Sequence, residues 1–265
     1  MKKVIYVLIL LIIANAFSIS VRSYNNVIPK STVENYIAIP DDSVQKQNLK
    51  KDIIKSILNA TGYSKWEEYI DYIDLKIYKG NVIPNGKENI VFALNLSKDT
   101  ALVAVYEQMN DLSYYYKNKI TNIVPVKDIK FFKNFLIIEQ ILDERVGAFL
   151  IDNFIQIFYY DDDNTFKSVL KKSVNYEEAY KAIWIDKNAP DNLWNKTTLT
   201  SSVDYLDEDP IKILYIATTT NYKGLSPNFP KVEDFKKESE KTEKYLYVWD
   251  AIDKSFKLQE KSDVN

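Results

Sequence analysis

Residues Asn89 to Glu107 read NIVFALNLSKDTALVAVYE, and this stretch decides the fold. Two apolar runs rich in Ile, Val and Phe flank the polar turn Ser97-Lys98-Asp99-Thr100, which is the pattern of paired antiparallel strands. Residues of this kind suit a pleated, half-buried surface. The pattern continues outward in both directions. It predicts strands near 74–79, 89–96, 101–107, 112–119, 134–141, 146–151, 154–160 and 165–171, and again near 197–205, 211–219, 244–250 and 255–260.

Helical spacing is confined to a few places. Leu49, Ile53, Ile54, Ile57 and Leu58 recur on one helical face, Lys50, Lys51 and Lys55 point away, and Gly62 stands just past the end as a stop. Ser64 and Glu67 have capping-box spacing, which predicts a short helix over Lys65 to Ile70. Tyr176, Ala179, Tyr180, Ile183 and Trp184 fall at i, i+3, i+4, i+7 and i+8, with Asn175 placed to cap, so the spacing predicts an amphipathic helix over 176–185. Residues 21–45, punctuated by Pro29 and Pro40, read as an extended leader. Asn221 to Lys244, with Pro227 and Pro230, reads as a charged surface loop with room for one helical turn.

The expected fold is therefore mainly β with a few helices, α+β in class. It is an antiparallel meander, propeller-like or an open sheet or sandwich, with an N-terminal amphipathic helix. The expected organisation is a signal peptide over 1–20, the leader over 21–45, and a single β-rich domain over 46–265. Lys2 and Lys3, the apolar run Val4 to Ala14 and the small residues Ala14, Ala16, Ser18 and Ser20 make the three parts of an export signal. Cleavage would start the mature chain at Phe17 or Val21. The alternative is an uncleaved anchor, since Val4 to Val21 lies at the lower limit of a membrane span. The expected location is thus secreted or in the cell envelope, or anchored through that N-terminal segment.

Composition excludes several chemistries. The 265 residues contain no histidine and no cysteine, which removes the side chains most used for acid–base, nucleophilic and zinc chemistry near neutral pH, and also removes disulfides. With Lys2 and Lys3 removed, 33 basic residues face 37 acidic ones, and the lysines are interspersed with carboxylates, so nucleic acid is not an expected partner. No two of Gly62, Gly80, Gly86, Gly147 and Gly224 lie in a phosphate-loop arrangement, and no cofactor is implied. Two Ser-x-x-Lys pairs occur, Ser43 with Lys46 and Ser168 with Lys171. Ser43 is placed to cap a helix, and Ser168 and Lys171 sit on a strand where residues three apart face opposite ways.

Asn81-Val82-Ile83-Pro84-Asn85-Gly86-Lys87-Glu88-Asn89-Ile90-Val91 lies between two expected strands. It resembles the calcium loop of FG-GAP or VCBS repeats of extracellular β-propellers, in which carboxylates alternate before a glycine and an apolar strand follows; the resemblance extends over about 74–119. Gly86 and the strand entry match. Asn81, Ile83, Asn85 and Asn89 stand where the family has carboxylates, so what the resemblance implies here is a turn shape without the anionic oxygens that calcium needs. The remaining candidate cation site is the acidic turn Asp161, Asp162 and Asp163, for which turn chemistry is the competing explanation.

Carboxylate pairs are the catalytic apparatus this composition leaves, with Glu107, Glu139, Glu144, Glu177 and Glu178 eligible. Aromatic residues, 14% of the chain, suggest a platform for a glycan or protein, and Trp66, Trp184, Trp194 and Trp249 are the candidate contacts. The expected function is an exported, non-catalytic binding or structural module of the cell envelope or secretome. Its ligand would be an unidentified macromolecule, glycan or protein, with no membrane contact after signal cleavage. The rival is a carbohydrate-active hydrolase using two carboxylates in one cleft.

Overall fold

The computed structural model describes residues 26–110, 112–145 and 149–264, so the expected signal peptide lies outside the described residues. The chain is mostly strand, in two antiparallel sheets, as the α+β expectation has it. Its contacts group into two compact units, one holding the described residues up to Ser97 with Ala101–Asn122, the other Lys98–Thr100 with Ile123 onward.

In the first unit β1 (Val27–Pro29), β2 (Asp74–Gly80), β3 (Asn89–Asn95), β4 (Ala101–Asn110) and β5 (Ser113–Ile123) form a sheet of order β1-β5-β4-β3-β2. The decisive stretch is its central pair, with Phe92 opposite Ala104 and Ile90 opposite Tyr106. Two helices supply the rest of the core. Ile53, Ile54, Ile57 and Leu58 of α2 (Val44–Thr61) are fully buried and cluster with Ile90, Phe92, Leu94, Leu102, Ala104 and Tyr106, the alternate residues that point to one face. Ser43 caps α2 by accepting from the Lys46 N–H (3.1 Å), while Gly62 ends it at φ 77°, a conformation that costs a residue with a Cβ about 1 kcal/mol or more.

The extended leader is corrected here. Residues Lys30–Ala38 form a helix, α1, starting after Pro29, which has no N–H to leave unsatisfied. Its one fully buried residue is Val33, too few for a readable apolar face. The capping box at Ser64 is also not made: the Ser64 hydroxyl donates to Asn59 Oδ1 (2.8 Å), and residues Ser64–Tyr72 form a 3-10 helix instead of an α-helix.

The second unit is an eight-stranded meander, β6 (Val126–Phe132), β7 (Phe135–Asp143), β8 (Phe149–Tyr160), β9 (Phe166–Lys181), β10 (Leu193–Leu206), β11 (Lys212–Leu225), β12 (Lys236–Asp250) and β13 (Ser255–Asp263), each paired with its sequence neighbours. It curls into a half-barrel. Phe135 of β7 meets Trp249 of β12 (4.8 Å between ring centroids) and Phe256 of β13 (5.3 Å), although five strands separate β7 from β13 in the sheet. Ile137, Ile155, Ile157, Ile213, Tyr215 and Tyr247 complete this core.

Three expectations fail in this sheet. The helix over 176–185 is the end of β9 followed by a 3-10 turn at Ala182–Trp184. Cross-strand partners on both sides, such as Leu150 and Thr197 flanking Glu178, override a spacing that suited a helix. The two strands expected over 146–160 are the single strand β8, with residues 146–148 outside the described ones. The loop over 221–244 shrinks to 226–235, because β11 runs to Leu225 and β12 begins at Lys236 with lysine and glutamate alternating along exposed edges.

Removing the buried side chain of Ile57 should cost about 3 kcal/mol, because the cavity left between α2 and its sheet cannot fully collapse. Urea unfolding of Ile57→Ala followed by circular dichroism measures this.

Candidate ligand-binding surface

In the β2–β3 loop each asparagine side chain bonds to the chain itself, although Asn89 Nδ2 is buried without a hydrogen-bond partner. Asn89 Oδ1 accepts from the N–H groups of Val82 (2.9 Å) and Ile83 (3.0 Å), and Asn85 Oδ1 accepts from Lys87 N–H (3.1 Å). The Asn81 amide, oriented by its surroundings, donates to the Lys87 carbonyl (3.1 Å). Gly86 takes φ 73° at the tip. The carboxylate of this region comes from the neighbouring strand. Glu107, its side chain 2% exposed, accepts from Asn85 Nδ2 (2.6 Å) and Lys87 Nζ (3.2 Å), with Lys117 Nζ at 3.4 Å. Burial pushes its carboxyl up, but those hydrogen bonds and the two ammonium groups outweigh burial and hold it below the usual carboxylate range. In this loop donors from Asn85 and Lys87 close on an anion supplied by the neighbouring strand.

The acidic turn 161–163 joins β8 to β9 and is likewise held internally. Asp161 accepts from Lys167 and Lys254, Asp162 pairs with Lys254 (2.7 Å), and Asp163 pairs with Lys167 (2.9 Å) and caps the Thr165 N–H (3.0 Å). Lys254 belongs to the β12–β13 turn, so these contacts tie two hairpin tips together. Among the described residues no group of three His, Cys, Asp or Glu side chains is arranged to hold a metal ion.

The four tryptophans separate into three environments. Trp66 packs on the first unit's core beside Tyr69 (5.8 Å), and Trp249 lies in the half-barrel core against Phe135, Tyr159 and Phe256. Trp184 and Trp194 come together at one end of the eight-stranded sheet (5.8 Å). Trp194 is 4% exposed; its indole N–H donates to the Ser226 carbonyl (3.0 Å), and its ring meets Phe229 (5.3 Å), which in turn meets Phe149 (5.7 Å). Trp184 rests edge-on against this buried ring and is itself 51% exposed, alongside Ile185 (79%), Leu225 (68%), Phe229 (50%) and Val232 (80%).

The last four of these were not candidates in the sequence, because Ile185 fell at the end of the expected helix over 176–185 and the other three fell in a charged stretch with two prolines that read as solvent loop. Their signal was Phe229 and Val232 inside that stretch, apolar residues with no strand or helix to bury them. Register explains the gathering: Leu193 lies opposite Leu225 and Trp194 opposite Gly224, which brings the β9–β10 and β11–β12 connections side by side. Gly224 has no Cβ, and one placed there would meet the Phe235 ring (3.2 Å) and Pro230 (3.4 Å). That absence lets the 226–235 connection fold down on the sheet.

A second aromatic group, Tyr215, Tyr245 and Tyr247, is filled from within by Lys172, whose ammonium lies 5.4, 5.4 and 4.7 Å from the three ring centres. The eligible carboxylates are dispersed. Glu139 pairs with Lys127 (2.8 Å) and Glu177 with Lys196 (2.7 Å), while Glu178 accepts from the Tyr176 hydroxyl (2.7 Å). Asp152, opposite Tyr176, is the one carboxyl raised by burial, and its Oδ1 has no partner. The groove nearest these strands, lined by Ile151, Asn175, Tyr176, Glu177 and three residues of β10, includes neither Asp152 nor Glu178. No protein-family model matches this chain, and no curated protein is similar to it.

Two measurements test the loop. Glu107→Ala should destabilise by about 2 kcal/mol, less than a fully enclosed pair because both lysines are partly exposed. The folded carboxyl titrates below its ordinary 4.5, so its contribution is present above that value and lost as pH falls through the depressed one. The stability difference between wild type and variant should therefore shrink in acid urea titrations. Melting curves in millimolar calcium and in chelator should superimpose, because Asn81, Asn85 and Asn89 are spent on backbone and side-chain hydrogen bonds.

Proposed function

We propose that the chain is an exported, non-catalytic binding module of the cell envelope or secretome, and that it meets a macromolecular ligand through the apolar end of its eight-stranded sheet. The observation that carries this reading is the exposed ring of Trp184, held on the buried and hydrogen-bonded Trp194 beside four further exposed apolar side chains. A cluster of this kind on a surface marks an interaction site, and a rigid aromatic contact loses little entropy on binding. The rival reading, a hydrolase with two carboxylates in one cleft, has less support: Glu107, Glu139 and Glu177 are all paired with lysines, and the groove lined by Ile151, Tyr176 and Glu177 includes neither Asp152 nor Glu178.

The export half of the proposal rests on the N-terminal sequence alone. No described helix is long and apolar enough to cross a membrane.

Co-sedimentation with isolated cell-envelope material tests the binding half. Trp184→Ala, at an exposed position, should leave the melting temperature nearly unchanged and lower retention about tenfold. Tyr72→Ala, which removes an 85% exposed ring in the first unit, should not lower it. Equal retention of all three proteins would overturn the assignment of the surface.

A further inference from the structure

We propose that the apolar end of the eight-stranded sheet inserts into the headgroup boundary of a zwitterionic phospholipid bilayer. This rests on the reading of that end as the binding surface and departs from the sequence expectation of no membrane contact.

The exposed side chains sit on connections, not in a groove. In an antiparallel meander successive turns alternate between two ends, so the β9–β10 connection bearing Trp184 and Ile185 and the β11–β12 connection bearing Phe229 and Val232 project from the same end, with Leu225 between them. Their chemistry is that of a bilayer boundary. Sugars are bound by aromatic faces and polar groups, to which Ile185, Leu225 and Val232 contribute nothing, whereas exposed aliphatic side chains beside an indole ring suit the boundary between acyl chains and headgroups.

Charge agrees with this occupant. Over residues 181–192 and 223–238 six lysines face five carboxylates, so the apolar end is close to neutral. Turns 133–134, 161–164, 207–210 and 250–254, at the opposite end, hold eight carboxylates and two lysines. The acidic end is therefore the less suited of the two to lie among phosphates. Beside the apolar tips lies a hollow of about 540 Å³ lined by Leu193 and Leu225 together with three lysines, Lys223, Lys236 and Lys237, and three carboxylates, Glu233, Asp234 and Glu238, with Lys223 paired to Glu238 (2.7 Å) and Lys237 to Glu240 (2.8 Å). It offers ammonium groups to a phosphate and a carboxylate to a quaternary or primary amine, which is the charge pair of a zwitterionic headgroup. Near-neutrality predicts that insertion depends on apolar burial and little on salt.

The experiment adds phosphatidylcholine vesicles to the full mature chain and follows tryptophan emission and co-sedimentation at low and high salt. The expected result is a blue shift of the emission, quenching by vesicles carrying brominated acyl chains, and binding unchanged by salt. The double variant Ile185→Asp, Leu225→Asp should bind at least about tenfold more weakly while keeping the wild-type circular dichroism spectrum, since both positions are exposed. Binding that ignores this double variant, or that needs anionic lipid and is abolished by salt, would overturn the proposal. So would absence of vesicle binding. If the envelope retention of Trp184→Ala is still reduced in that last case, the surface stands and its ligand is a glycan or protein. If that retention is also unchanged, both readings fall.

Discussion

Phe135 touching Trp249 and Phe256 is the contact on which the second unit depends. A sheet with one apolar face must bury it against another layer, and among the described residues of this unit the non-strand elements are short 3-10 turns at Ala182–Trp184 and Val232–Asp234. The described residues of the unit supply no α-helix to cover the sheet, and the sequence has no cysteine to staple it. The remaining solution is for the sheet to close over itself. Large rings make this possible, because Phe135, Tyr159, Trp249 and Phe256 span the gap that aliphatic residues on facing strands would leave empty. Register shifts in β9 opposite Asn153/Phe154 and Ile157/Phe158 add the local twist that curling requires.

Closure divides the turns between two ends with different chemistry. At one end the acidic turns lie close enough for lysines to bridge them: Lys254 reaches Asp161 and Asp162, and Lys133 reaches Asp207 (2.7 Å). These pairs are partly exposed and individually weak, but they link hairpin tips that are distant in sequence and so hold the curl at its rim. At the other end the connections are longer, prolines at 190, 227 and 230 stiffen them, and apolar side chains face outward. Aromatic pairs close two hairpins of the acidic end. Tyr160 meets Phe166 (5.0 Å) across one turn and Trp249 meets Phe256 across another, while Asp250 accepts the turn amides of Ile252 and Asp253.

Sequence patterns disclosed what depends on local spacing. The α2 helix, with its Ser43 cap and Gly62 stop, and the alternating strands β3 and β4 are legible because each is selected by its own period. The edge strand β6 was missed, since Val126–Phe132 alternates apolar residues with Lys and Asp too briefly to stand out. The end of β9 was misread because Tyr176, Ala179, Tyr180 and Trp184 satisfy helical spacing; the choice is made by pairing with β8 and β10, which no local window contains. Of the four tryptophans, Trp184 and Trp194 are brought together and Trp66 and Trp249 are not, a difference set by register between β9 and β10, where Trp194 lies opposite Lys181.

Isolated exposed apolar residues need no explanation, and Ile252, at a single turn of the acidic end, is one. The cluster around Trp184 is different in kind. Burying a side chain of this size stabilises by roughly 1.5–3 kcal/mol, which is a large share of the margin by which any domain is stable. The chain demonstrably can bury rings at this location, since Trp194, lying directly beneath, is enclosed and has its N–H satisfied. It also fills the space among the half-barrel tyrosines, with Lys172 set beside Tyr215, Tyr245 and Tyr247. Trp184 is thus left uncovered on a foundation that is itself fixed, a geometry suited to a contact that must be ready before its partner arrives.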